Sequence, residues 1–389
     1  MLRPAWPAPE TSLFLSAVDI ICRELPHNRR MLFYKLQNAG EYAAVVERLK
    51  ASLSVVRRFL RPSWRGSLLR SCNSAASVTG SLCSWIWPHG STLWTMLLRP
   101  LCVSRFECGS FALGVAHSHV VCDGTSLWHF LTSWAEIARG EPKLSLVPVH
   151  TRTLLKLDNP SAKKAFLIVE GVEEDTSHGS TEKEDLMLFH FSKETVKKLK
   201  AQVHGERSSY EAMCAHIWKH ASVARGHAKD KEVSFIHVVN MRRRLHPPLP
   251  QGYFGNALMW TTAVAAAGEL QEENLAVTAD RIHASVAACD DTAFKGWLHW
   301  LEVHDRQEVF TRCNLNGARL RASSSTRFPV FAVDFGWGAP VAVRCPCMEL
   351  AGKVIFFPSP DGFGSIDITL ALPSPFMRHL ANGQDFLHP

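Results

Sequence analysis

Large and small side chains alternate along positions 111–119. Phe111, Leu113, Val115, His117 and His119 fall on one face and Ala112, Gly114, Ala116 and Ser118 on the other, the period of two that a strand imposes. Past Asp123-Gly124-Thr125 the period lengthens. Leu127, Phe130, Leu131, Trp134, Ile137 and Ala138 form an apolar stripe at helical spacing that stops at Gly140. His119 is therefore expected where a strand runs out into a turn ahead of a helix. In the second half, Ser208-Ser-Tyr-Glu211 has capping-box spacing and opens a helical run through Met213, Ile217 and Ala221. A strand is expected over 233–240. Apolar runs at 354–357 and 366–372 flank the turn-rich segment 358–364 and predict a hairpin with a long loop, with a short helix over 375–380 after it.

Strand-like and helix-like periods are mixed and no solenoid repeat is visible, so the expected class is α/β or α+β. The 389 residues exceed the usual size of one domain and predict two. The acidic, polar stretch 171–185, GVEEDTSHGSTEKED, reads as a crossover linker. The expected division is a first domain over 1–170, a linker over 171–188 and a second domain over 189–389.

Composition narrows this little further. Hydrophobic residues at 46% and charged residues at 20% are those of a globular protein and exclude disordered or collagen-like chains. The net charge of +7 is spread too thinly to mark a nucleic-acid surface, and no nucleic-acid partner is expected. The 11 cysteines are odd in number and scattered, with Cys345 and Cys347 as the close pair and no Cys-x-x-Cys, which favours free thiols. Pro4, Pro7 and Pro9 precede a short apolar stretch broken by Ser16 and Asp19, unlike a secretory signal. No run reaches the roughly twenty apolar residues of a membrane span. A soluble cytoplasmic protein without a membrane partner is the expectation.

The sharpest chemical feature is His119-Val-Val-Cys-Asp123-Gly124. With 19 histidines and 36 acids in the chain, a histidine followed by an acid at one fixed spacing arises about twice by chance, so context carries the weight. A histidine at the end of a small-faced strand can act as general base toward a hydroxyl or amine, its pKa lying near neutrality. The alternative is a buried, hydrogen-bonded histidine. His117, His119 and Asp123 offer a metal trio on paper, but no further strong ligand follows at a fitting spacing. Asp334-Phe-Gly336-Trp337-Gly338 contains the Asp-Phe-Gly of protein kinases, yet the His-Arg-Asp and Gly-rich phosphate loops are missing. It reads as a tight turn wedged into packing, with Asp334 paired to an arginine. No Gly-x-Ser-x-Gly elbow occurs, so a serine hydrolase has little support.

Together, His119-x-x-x-Asp123-Gly124 and Asp334-Phe-Gly-Trp-Gly338 resemble the two signature motifs of the plant BAHD acyltransferases, in the order that family requires. The resemblance extends to Leu15-Ser-Ala-Val-Asp19, Arg105-Phe-Glu-Cys-Gly109, Trp134-Ala-Glu-Ile-Ala-Arg-Gly140 and the stretch from Asn240-Met-Arg242 to Gly252-Tyr-Phe-Gly-Asn256. It implies two chloramphenicol-acetyltransferase-like domains, each a mixed sheet with helices, and an active site in a channel between them. It also implies an acyl-CoA co-substrate, a small alcohol or amine acceptor, no bound cofactor, no metal and a monomer. By the same likeness His119 is the general base and no acyl-enzyme forms. Asp123 orients the loop and Gly124 lines the substrate. Asp334, Gly336, Trp337 and Gly338 are structural, with Arg242 as the ion-pair partner of Asp334. Within the family, Gly252-Tyr-Phe-Gly-Asn256, Ala279-Asp-Arg-Ile-His283 and Arg327-Phe-Pro resemble hydroxycinnamoyl-CoA:shikimate or quinate hydroxycinnamoyltransferases. That likeness implies Arg327 as a clamp on the acceptor carboxylate.

Residues 57–104 depart from the family pattern. Arg57-Arg-Phe-Leu-Arg-Pro-Ser-Trp-Arg-Gly-Ser67 and a Ser-, Cys- and Trp-rich run show neither period, and the stretch is read as an out-of-frame or mis-spliced translation that leaves the first domain short of core strands. Two other functions follow as alternatives. One is a catalytically impaired homologue that only binds ligand or a partner. The other is a metal-dependent hydrolase built on His117, His119 and Asp123.

Overall fold

Strand β4 (Phe111–His117) is the middle of a five-stranded antiparallel sheet in the order β2-β3-β4-β1-β9, with β1 Asn28–Tyr34, β2 Cys83–Ile86, β3 Leu101–Arg105 and β9 Ala342–Arg344. The computed structural model describes residues 14–22, 28–36, 38–59, 83–86, 101–157, 184–304, 319–346 and 352–389. Both faces of β4 are buried apart from Gly114, so its alternation is one of size rather than polarity. The strand stops at His117, two residues short of the expected end, because the Val121 N–H turns back to the Ser118 carbonyl at 3.2 Å. Helix α1 (Ala17–Ile21) precedes the sheet, and α2 (Tyr42–Phe59) and α3 (Gly124–Ala138) belong to the same unit. Leu127, Phe130, Leu131 and Trp134 of the predicted stripe are fully buried. Each contributes about 1.5–3 kcal/mol by leaving water, which fixes α3 and with it the turn at its N-terminus.

The atypical stretch is corrected in part. Its first residues, 57–59, continue α2, while Cys83–Ile86 and residues 101–104 are paired strands of this sheet. Leu101 and Val103 alternate into the core, a period too short to register in the sequence among the surrounding serines and cysteines. Segments 60–82 and 87–100 lie outside the described residues.

The second unit is built on a six-stranded mixed sheet in the order β5-β11-β10-β8-β6-β7. The strands are β5 Glu184–Phe191, β6 Glu232–Asn240, β7 Leu258–Ala266, β8 Arg319–Ser324, β10 Lys353–Pro358 and β11 Ile366–Pro373. β8 runs parallel to both neighbours, and the other pairs are antiparallel. The predicted hairpin is β10–β11, and the predicted capping box opens α5 (Ser209–Arg225), which follows α4 (Lys193–Ala201). The core gathers Trp218, Phe235, Val354, Phe356, Ile368 and Leu370.

Two expected boundaries shift. Glu184 to Leu188, read as the end of the linker, are part of β5, since their backbone pairs with β11 while Leu186, Met187 and Leu188 stay exposed. The rest of the linker, 171–183, lies outside the described residues. The units are also not contiguous halves. Residues 249–256 and 329–346 belong to the first unit. Backbone pairing recruits both: β9 adds to β1, and 252–254 bridge to Val149. Among the described residues no helix is long and apolar enough to cross a membrane, and Cys22, Cys102, Cys108, Cys122, Cys214, Cys289 and Cys345 are free thiols.

Candidate active site

His119 sits in the turn between β4 and α3, as the change of period predicts. Asp123 is the N-cap of α3: its backbone is extended (φ −81°, ψ −179°) and its carboxylate accepts the Ser126 N–H at 3.0 Å. It is fully buried, so it holds the turn rather than presenting an acid to solvent. Gly124 is the first residue of the helix. His117, at the end of β4, is buried, with its ring 6.2 Å from that of His119 and tilted 38° to it. Among the described residues no group of three or more His, Cys, Asp or Glu is placed to hold a metal ion.

The segment 252–256 is docked beside this turn by its backbone. The Val149 N–H donates to the Gly252 carbonyl and the Phe254 N–H to the Val149 carbonyl, both at 2.9 Å. A β-carbon on Gly252 would collide with the Val147 carbonyl oxygen, so the approach requires glycine. One residue before the site, Gly255 is tied to α3, since its N–H donates to Ser126 Oγ and that hydroxyl donates to the Gly255 carbonyl, each at 3.1 Å.

This docking delivers Asn256 to His119. Asn256 Nδ2 donates to the His119 carbonyl at 2.8 Å and to Asp19 Oδ1 at 2.8 Å, while Oδ1 of the same amide lies 3.1 Å from His119 Nδ1. An oxygen there can only accept. The imidazole therefore carries its proton on Nδ1 and its lone pair on Nε2. Burial lowers the His119 pKa from its ordinary value, working against the Asp123 charge and the Asn256 bond, which favour the imidazolium, and Arg30 adds to the lowering. Burial thus favours the neutral ring, in which the Nε2 lone pair is free. Asp19 in turn accepts from Arg152 at 3.0 Å, a pair whose side chains are both nearly sealed from water.

The Asp334 motif is also in the first unit. Asp334 Oδ1 accepts the N–H groups of Gly336 and Gly338 at 2.7 and 2.9 Å, closing a turn in which Gly336 and Gly338 both have positive φ. Phe335 meets Trp134 edge to face at 4.9 Å, and Trp337 meets Phe111 at 5.7 Å with the Arg48 guanidinium over its ring. The turn is wedged into packing as its sequence predicts, but the carboxylate is satisfied by its own loop. Arg139 donates to the Asp334 carbonyl. Arg242, expected as the partner of Asp334, belongs to the second unit, where its guanidinium reaches Asn240 Oδ1 at 3.4 Å. Arg327 is also in the second unit, exposed, on the segment after β8, with its N–H bonded to Ser325 Oγ. In the sequence Asp19 and Asn256 fall inside longer motifs that give them no role, and Arg152 and Ser126 are singled out by none. No local period marks them.

The fold, with this histidine in the turn after β4, is that of a mixed α/β protein with two sheet-bearing units. The sequence model of the Transferase family matches residues 90–387, and the chain belongs to that family, as an enzyme of the BAHD acyltransferase type. It is 28% identical to a hydroxycinnamoyltransferase of Narcissus pseudonarcissus, over 97% of this chain and 96% of that protein. It is 30% identical to a shikimate O-hydroxycinnamoyltransferase of Nicotiana tabacum, over 72% of this chain and 68% of that one. Among solved structures, TRI101 of F. graminearum in complex with coenzyme A and deoxynivalenol shares the fold, with a TM-score of 0.76 at 17% identity over 97% of this chain and 98% of that one.

Proposed function

We propose that this enzyme transfers an acyl group of the hydroxycinnamoyl type from a CoA thioester to a small alcohol or amine such as shikimate or quinate, with His119 as general base. The observation that carries the reading is the bond from His119 Nδ1 to Asn256 Oδ1, which leaves Nε2 with its lone pair. Nε2 takes the proton of the acceptor O–H or N–H as that atom bonds to the thioester carbonyl carbon, forming a tetrahedral oxyanion. The oxyanion collapses, the C–S bond breaks, and the imidazolium returns the proton to the thiolate, releasing CoA and the acylated acceptor. No side chain of the enzyme is acylated. The names of the relatives, which specify hydroxycinnamoyl transfer and in one case shikimate, support the substrate class. Asp123 keeps the turn in place as the α3 cap, and Arg327 offers an exposed guanidinium suited to an acceptor carboxylate.

The test is release of free CoA thiol from coumaroyl-CoA, with and without shikimate, quinate and a panel of alcohols and amines, beside His119→Ala. Acceptor-dependent release, lost in the variant by about 10²-fold or more, is expected. A folded His119→Ala protein with full rate would remove the base. A wild-type protein that is stabilised thermally by CoA but never turns over would establish a binding homologue instead.

A further inference from the structure

Asp19 is a point of convergence. Its Oδ2 accepts the Ser16 N–H and hydroxyl, each at 2.9 Å, in the capping box of α1. Its Oδ1 accepts Asn256 Nδ2 at 2.8 Å, the Asn256 N–H at 3.3 Å and Arg152 Nη1 at 3.0 Å. Arg152 also donates to the carbonyls of Val120 and Val121, the two residues that follow His119. The ion pair therefore ties three separate stretches of chain to the turn that carries the histidine. All of these residues lie in the first unit.

Burying two charges costs several kcal/mol per ion, and an apolar pair of similar volume often stabilises a fold as well or better. A sealed ion pair is thus weakly explained by stability and better explained by what it orients. Its orienting effect is visible in the Asn256 amide. A carboxylate oxygen only accepts, so Asp19 takes the NH2 end, and the carbonyl end is left facing His119 Nδ1. The reversed amide would set Oδ1 against both the Asp19 carboxylate and the His119 carbonyl.

We propose that the Asp19–Arg152 ion pair is a positioning device for His119. By fixing the sense of the Asn256 amide it holds the imidazole in the Nδ1–H tautomer, with Nε2 as the base. The proposal rests on the reading of His119 as general base. Asp19, Arg152 and Asn256 are positioning residues that act through the imidazole and do not touch the reacting atoms. An imidazole that loses this tautomer presents an N–H where the base is needed.

The test is a double-mutant cycle of Asp19→Asn with Asn256→Ala, read by kcat, by KM for both substrates and by the 15N NMR shifts of the His119 ring. Asp19→Asn is expected to lower kcat about 10- to 100-fold, a share of what general-base catalysis supplies, with little change in KM, and to move the ring away from a pure Nδ1–H state. In the Asn256→Ala background the same change is expected to alter kcat by less than about threefold, because the residues act in series. Additive losses in the cycle, or an unchanged Nδ1–H ring in Asp19→Asn, would overturn the proposal. Should Asp19→Asn not fold, Arg152→Gln, which removes the cation that keeps the buried Asp19 carboxylate ionised, replaces it in the same cycle with the same criteria. If His119→Ala keeps its rate, the base reading fails, while the ring shifts of the Asp19 and Arg152 variants still decide whether the ion pair sets the tautomer.

Discussion

Ser126 Oγ and the backbone of Gly255 exchange two hydrogen bonds of 3.1 Å across 129 positions of sequence. The exchange clamps the first turn of α3 to the segment that carries Asn256, the residue bonded to the His119 ring.

That clamp depends on the close approach at Gly252. Gly252→Ala would drive a methyl group into the Val147 carbonyl oxygen, and the strain is expected to cost about 1–3 kcal/mol. Displacing 252–256 also carries Asn256 away from His119, so turnover should fall by more than the loss of folded protein explains. Chemical denaturation beside kcat checks both; an Ala variant as stable and active as the parent would show that the segment is not seated as described.

The pH dependence of kcat/KM has a fixed sign. His119 must be neutral to accept a proton, and burial lowers its pKa from the ordinary value of about 6.5. Activity is therefore expected to persist at pH 6.5 and to fall only further into acid. Asp123→Asn keeps the helix cap, since Asn caps as well as Asp, but removes a charge that favours the imidazolium, so the acid limb should move to lower pH. A limb that moves to higher pH would contradict the described electrostatics. Asp123→Ala, which also removes the cap, should lose about 0.5–2 kcal/mol of stability.

Two buried histidines, His216 and His237, and the half-buried His150 predict acid sensitivity of the fold. Burial pushes His150 and His216 to about 4 and His237 to about 3. Below pH 6.5 the unfolded chain takes up protons that these folded sites refuse until about pH 4 or lower, so the unfolded state binds more protons and stability is lost as pH falls through this window. The melting temperature should decline steadily from pH 6.5 to 4. A flat profile would mean that these rings protonate freely in the folded protein.

Arg327 supplies the test of acceptor class. If its guanidinium binds a carboxylate, Arg327→Ala should raise KM for shikimate or quinate by about tenfold or more, one charge-assisted contact being worth about 1.5–3 kcal/mol, and leave KM for a neutral alcohol nearly unchanged. Equal effects on both acceptors would assign Arg327 to structure.

Local signals in the sequence reach only as far as local physics does. The β4 alternation, the α3 stripe, the capping box at Ser208 and the β10–β11 hairpin are all visible in it, because side-chain periodicity and caps are properties of neighbouring residues. The motifs around His119 and Asp334 likewise carry the family. The early end of β4 was beyond reach, since a backbone turn from Ser118 to Val121 ends it. So were the first residues of β5, where pairing with β11 overrides a polar composition.

What the sequence determined by itself was the class of fold, the family and the histidine to examine. Tertiary structure alone decided how that histidine is held. Asp19 and Asn256 stand 237 positions apart, and Arg152, on a third stretch, follows no motif. Asp334 closes on the N–H groups of Gly336 and Gly338, donors that every non-proline residue owns and no sequence pattern displays. Buried polar atoms must find partners wherever the folded chain brings them, and in this protein that requirement joins α1, the His119 turn and the Asn256 segment at the Asn256 amide.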